Sequence, residues 1–298
     1  MKNIAVTGLV IISVGFFINL YSFSEKTPFR FTDGKDTINP VSLINPEIPA
    51  LLSGEKAINH KGYTLLYNES HEQASWVAYE LTSAETKKLF SRTDYSGSGY
   101  DRGHLAPAAD MGWSEQAMAE SFYYSNMSPQ TPGFNRGIWK NLEELIRSWA
   151  VEYGSVYVVT GPVLKSGLPS IGANKVSVPE YYYKVILDYS KPDVKAIGFI
   201  MKNTSSDKSL SNFAVTVDSV ENITGIDFFP SLPDTHEAII EKELCVSCWI
   251  WERQNTEYVP EKQSTSASVQ CSEYTQAGTR CKRKTSSPNG KCWQHGGD

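Results

Sequence analysis

The side chains able to do chemistry concentrate between Tyr100 and Arg147. Tyr100-Asp101-Arg102-Gly103-His104-Leu105-Ala106-Pro107 sets an imidazole beside an arginine, and Asn126 follows in Ser125-Asn126-Met127-Ser128-Pro129-Gln130. Phe134-Asn135-Arg136-Gly137-Ile138-Trp139 comes next, with Glu143 eight residues after Asn135 and Arg147 four after Glu143. These residue types meet the three needs of phosphodiester hydrolysis. A neutral imidazole that is basic near neutral pH can take a proton from water, which suits His104. The uncharged carbonyl of Asn135 is a reasonable ligand for Mg²⁺, an ion that keeps several waters and whose charge then stays available to a phosphate. Arg102 offers a forked donor to phosphate oxygens, and Arg136 adds a second cation for substrate. Glu143, on the helix that follows, is placed to hold metal-bound water rather than the ion itself.

Each residue also has a plainer reading. A histidine beside an arginine is often only a hydrogen-bonded structural residue, and an asparagine before a helix is often its cap. Glu143 and Arg147 have the spacing of an ordinary ion pair on a solvated face. The joint occurrence, in this order, outweighs the separate alternatives.

Asp101-Arg102-Gly103-His104, then Asn126 near Pro129-Gln130, then Asn135-Arg136-Gly137 and Glu143 resemble the DNA/RNA non-specific endonuclease family, whose members carry a ββα-metal site. Trp76-Val77-Ala78-Tyr79, Val159-Thr160-Gly161-Pro162, Phe213 to Val217 and Thr224 to Phe229 extend the likeness to about residues 58 to 252. The resemblance implies His104 as general base, Asn135 as direct ligand of a hydrated Mg²⁺ and Glu143 as the group orienting metal waters. It implies phosphate or transition-state binding by Arg102 and Arg147, and Asn126 as a residue that holds the catalytic geometry. It further implies cleavage of DNA and RNA to 5′-phosphate ends; an inhibitor protein is a candidate partner on which the sequence itself is silent. Mn²⁺ is a substitute for Mg²⁺ in such an oxygen-rich site. Family members carry a further phosphate-binding arginine before the Asp-Arg-Gly-His motif; the segment Thr82 to Gly99 is shorter here, and Arg92 is its only arginine.

Periodicity supplies the supporting elements. Trp76 to Leu81, Val156 to Thr160, Tyr181 to Leu187, Val194 to Met201 and Phe213 to Val217 read as strands, with a short helix up to Thr224. From Gly137 to Ala150, Ile138, Leu142, Leu145, Ile146 and Trp149 recur at helical spacing, with Asn135 at the entry. In the ββα unit implied by the resemblance, His104 ends a strand, the chain returns through Phe122 to Met127, and this helix completes the motif. The mixture gives an α+β fold, with an antiparallel-rich central sheet flanked by helices.

The 298 residues, 40 % hydrophobic and 20 % charged, suffice for one large domain with appendages. A net charge of -5 argues against a protein that holds nucleic acid by bulk electrostatics, and less against an enzyme that must release its product. Ile4 to Leu20 is almost continuously apolar, and Ser22 and Ser24 stand where a signal peptidase would read small residues. Residues 1–24 are therefore expected to be a signal peptide or an uncleaved anchor of an exported protein. Residues 25–57 read as a loosely ordered leader, 58–256 as the catalytic domain and 257–270 as a polar linker.

All five cysteines follow residue 244. Cys245 and Cys248 have the spacing for a local bridge. Cys271, Cys281, Cys292 and His295, at intervals of nine, ten and two intervening residues, have the composition of a closed tetrahedral Zn²⁺ site in a small basic module, 271–298. Disulfides are the alternative in an oxidising compartment. A zinc phosphoesterase using this set is disfavoured, because four protein ligands leave no open position. A non-catalytic nucleic-acid-binding protein on a nuclease scaffold is the second alternative, and the presence of His104, Asn135 and Glu143 together argues against it.

Overall fold

Runs rich in aromatic and β-branched residues pair into one antiparallel sheet. The computed structural model describes residues 29–30, 45–85, 98–190, 193–252, 269–274, 278–285 and 290–291. With strands numbered in chain order, the sheet runs from β1 (Phe29–Arg30) through β11 (Asp193–Lys202), β10 (Tyr181–Asp188), β7 (Ser155–Pro162), β4 (Gln73–Thr82) and β3 (Thr64–Asn68) to β2 (Ile58–Asn59). A two-residue strand, β12 (Ala214–Val215), adds to β11. In the centre Val185 lies opposite Val159 on one side and Gly198 on the other.

Both faces of the sheet are covered, so successive residues of its central strands, which point to opposite faces, are apolar on both. On one face α2 (Lys140–Tyr153) lays Leu142, Leu145, Ile146 and Trp149 against a cluster that includes Val158, Ile186 and Ile197. On the other, α3 (Val217–Thr224) and α4 (Asp234–Lys242) place Val217, Val220 and Ile240 in a cluster with Val185, Leu187 and Phe228. Gly198 permits the close approach of α3, because a Cβ there would stand 2.7 Å from Val220 Cγ2 and 3.1 Å from the Thr216 carbonyl. Thr216 caps α3 by accepting from the Ser219 N–H at 3.1 Å, and Gly225, left-handed at φ 70°, ends it. The segment after α4 closes over α2. Trp149 Nε1 donates to the Ile250 carbonyl at 2.6 Å, the Trp249 ring lies 4.4 Å from that of Trp149, and Cys245 and Cys248 form a disulfide.

The architecture is α+β, as the sequence leads one to expect, but several local elements differ. The helix anticipated from Gly137 begins instead at Lys140, after a π-helical turn over Phe134–Trp139 that kinks at Gly137. Asn135 therefore sits inside this wider turn. The return from His104 through Phe122 to Met127 runs by helical turns before it becomes strand. It comprises α1 (Glu115–Ser121), a 3₁₀ turn at Tyr124–Asn126, and then β6 (Met127–Gln130). The strand expected over 213–217 is confined to β12, because Thr216 starts a helix at Val217. The segment 25–57, read as loosely ordered, contributes β1 to the sheet edge, and the Ala50 N–H donates to the Asp227 carbonyl at 3.0 Å.

The chain divides into two compact units, Met1–Arg253 and Gln254–Asp298. In the second, β13 (Val269–Gln270) pairs with β14 (Lys284–Thr285), and Cys271 and Cys281 are buried together. Arg92, Cys292, His295 and the N-terminal segment 1–24 lie outside the described residues.

Candidate active site

The motif Asp101-Arg102-Gly103-His104 forms a strand of its own, β5 (Asp101–His104), paired antiparallel with β6. His104 opposes Met127 at one end, and Asp101 opposes Gln130 at the other. Gly103 is required here by crowding: a Cβ at this position would overlap the buried Gln130 side chain. Gly103→Ala is therefore expected to cost about 1–3 kcal/mol by overpacking, and to lower activity because the displaced strand carries His104. Thermal melting read beside a nuclease assay checks this. A variant with the stability and turnover of the parent would show that the strand yields.

Arg102 and His104, two residues apart, project to the same side of β5. The Arg102 guanidinium lies over the Tyr124 ring, 4.6 Å from its centroid, and the His104 ring meets Phe122 edge-on at 4.9 Å. Nε2 of His104 is buried without a hydrogen-bond partner among the described residues, as a nitrogen kept for water or substrate would be. Burial first, and then the Arg102 charge, push this imidazole down to about 4. It is thus neutral, and able to accept a proton, throughout the neutral range.

The fully buried Asn126 fixes the chain just after His104. Its Oδ1 accepts from the Ala106 N–H at 2.9 Å, while Nδ2 donates to the carbonyls of Ala106 at 2.9 Å and Ser121 at 2.7 Å. The amide is thereby committed to backbone.

Asn135 is tied to the opposite end of the same strand. Its Nδ2 donates to Asp101 Oδ2 at 2.9 Å. A carboxylate accepts only, so this bond fixes which way the amide points and turns its carbonyl oxygen aside. That leaves an oriented, neutral oxygen donor of the kind Mg²⁺ takes. Arg136 grips the same carboxylate, with Nε donating to Oδ2 at 2.7 Å and Nη2 to Oδ1, yet its side chain remains 73 % exposed. Asp101, which sequence reasoning passed over, thus organises both residues.

Behind this surface lies a nearly buried set of charges. Arg147, expected at the phosphate, instead donates from Nη1 to Asp110 Oδ1 at 2.8 Å; the other oxygen of Asp110 accepts from the Tyr79 hydroxyl at 2.8 Å. Lys184 is fully buried, donating to Thr160 Oγ1 at 3.1 Å and lying 4.6 Å from the centroid of the Trp139 ring. Burial pushes the Glu143 carboxyl up, while Lys184 and then Arg147 pull it down. Burial likewise lowers Lys184, and Glu143 and Asp110 hold it up. Two carboxylates and two cations thus compensate one another. A lysine within Tyr181-Tyr182-Tyr183-Lys184-Val185-Ile186-Leu187 was the sequence signal for it, since a charge in so apolar a strand must find a partner.

Beside β5 opens a cleft lined by Tyr67, Tyr100, Asp101, Arg102, Tyr124 and Pro129 among others. Aromatic faces next to a guanidinium can stack bases and hold a phosphate backbone.

A family model described as DNA/RNA non-specific endonuclease matches residues 86–235. Nuclease C1 of Cunninghamella echinulata var. echinulata is 37 % identical over 212 residues, covering 59 % of this chain and 83 % of its own. Human mitochondrial endonuclease G is 32 % identical over 206 residues, covering 58 % and 69 %. Among solved structures, the EndoG/EndoGI complex, solved for the mechanism of EndoG inhibition, superposes with a TM-score of 0.57 at 32 % identity. It covers 64 % of this chain and 91 % of that one.

Proposed function

The chain belongs to the DNA/RNA non-specific endonuclease family, and from that premise we propose that it hydrolyses phosphodiester bonds in both DNA and RNA with His104 as general base. One observation carries the reading. A neutral imidazole with an unpartnered Nε2 ends the same four-residue strand whose first residue orients Asn135.

The family is metal-dependent. Asn135 would hold the Mg²⁺ ion, with Mn²⁺ able to replace it, and Glu143 would hold its water; when bound, the ion supplies charge stabilisation for the phosphate and the departing oxygen. The protein's own groups do the rest. His104 Nε2 takes a proton from the attacking water, and Arg102 and Arg136, with Arg92 as a further candidate, hold the backbone phosphates. Arg147 supports Asp110 and Glu143 from behind. Attack on phosphorus with departure of the 3′ oxygen leaves a 5′-phosphate. Tyr67, Tyr100 and Tyr124 offer stacking faces that any base can use, which suits indifference to sequence.

A plasmid and an RNA transcript are the substrates that test this. With Mg²⁺ both should be degraded to 5′-phosphate ends, and EDTA should stop both. Cutting that resists the chelator, or RNA left intact while DNA is cut, would overturn the assignment.

Three further expectations belong to the same proposal. An inhibitor, as in the EndoG/EndoGI complex, is a proposed partner class. Zinc is proposed for Cys271, Cys281, Cys292 and His295, on their ligand chemistry and the joint burial of the first two. Export is proposed on the apolar run from Ile4 to Leu20; among the described residues no helix is long and apolar enough to cross a membrane.

A further inference from the structure

We propose that Asp218, Glu221 and Glu241 form a binding site for a hard divalent cation of calcium size, joining α3 to α4 on the sheet face opposite α2. Asp218 and Glu221 stand three residues apart, on one side of α3. Glu241 lies in the last turn of α4. One oxygen from each carboxylate falls within 4.8 Å of the other two. A single calcium ion, with Ca–O distances of about 2.3–2.6 Å, spans oxygens so placed.

Acidic side chains gather on many surfaces without an ion, but here a second feature asks for one. Glu241 is only 6 % exposed, and its buried Oε1 has no hydrogen-bond partner among the described residues. A buried carboxylate oxygen without a donor or counter-charge is costly. The charged groups acting on it among the described residues are themselves carboxylates, Glu221, Glu237, Asp227 and Asp218, which add to its charge and do not offset it. A proton is the competitor, since burial and these neighbours push the Glu241 carboxyl up to about 9. A cation would replace that proton and satisfy three carboxylates at once. Glu221 is already held, its Oε1 accepting from the Phe228 N–H at 2.9 Å, so one ligand is fixed in advance.

Calcium fits better than magnesium. It accepts six to eight oxygens in irregular geometry, whereas magnesium demands a near-ideal octahedron and keeps most of its water. The two helices pack on the sheet through Val217, Val220 and Ile240, so an ion between them would act on stability and not on the hydrolytic step.

The test uses the full chain carrying Asn135→Ala, so that an ion at the catalytic asparagine does not enter the reading. After EDTA and desalting, CaCl₂ should raise Tm by about 5–10 °C once it exceeds Kd a hundredfold. Calorimetry should count one calcium, and equal MgCl₂ should give a smaller shift. Adding Glu241→Gln should abolish the shift while leaving the metal-free Tm at or above that of the parent. Adding Asp218→Asn, at a half-exposed position, should weaken binding at least tenfold, and it stands in should the glutamine variant not fold. No calcium-dependent shift in the Asn135→Ala protein would overturn the site, as would an undiminished shift in both carboxylate variants.

Discussion

His104→Ala is expected to lower kcat on plasmid DNA by about 10²–10⁴-fold, the range a positioned general base contributes, while Tm stays within a few degrees of the parent. The asymmetry follows from the surroundings. The ring touches Phe122 by its edge, and its Nε2 bonds to no group among the described residues, so truncation removes few native contacts but removes the proposed proton acceptor. The same environment fixes the pH profile. For the free enzyme, acid inactivation in kcat/KM reports protonation of the base, and a base lowered to about 4 stays active well below the usual imidazole range. The acidic limb should therefore fall near pH 4–5, not near 6.5. Arg102→Gln removes a charge that disfavours the imidazolium, so it should move the limb upward. A His104→Ala enzyme with undiminished turnover would end the general-base assignment, and so would a limb unmoved by Arg102→Gln that already sits near 6.5.

The largest stability effect is expected from Lys184→Met, at about 3–5 kcal/mol, the usual consequence of removing one partner from a buried charge set. For a domain of this size that corresponds to a Tm lower by roughly 6–20 °C. Methionine fills much of the volume but leaves Glu143 and Asp110 with Arg147 as the remaining cation of the set. Glu143 would then be driven further toward its protonated form, which is the wrong form for holding metal-bound water. Activity should fall with stability. Adding Glu143→Gln should return part of the lost stability without restoring activity, a coupling that a double-mutant cycle measures. A Lys184→Met protein that melts with the parent would show that the lysine carries no such charge balance. Independent, additive losses in the double variant would show that Lys184 and Glu143 do not share one network.

The order of chemical residue types from Asp101 to Glu143, the apolar runs of the sheet and the helical periodicity of α2 were all legible along the chain, because each is a local pattern of side-chain type and spacing. They were enough to give the α+β class, while the place of His104 at a strand end was what the family resemblance implied. What the sequence could not convey is which polar groups become each other's partners. Arg147 has the spacing of a phosphate ligand or a surface pair, and only the fold turns it onto Asp110. Asp101 reads as one more charge until the π-helical turn brings Asn135 and Arg136 back to it from more than thirty positions away. Lys184 and Glu143 come from a strand and a helix far apart in the chain, and α4 brings Glu241 to the carboxylates of α3 in the same way. Spacing governs what a residue can do within one element, but burial and charge pairing arise between elements, and those are properties of the closed tertiary structure alone.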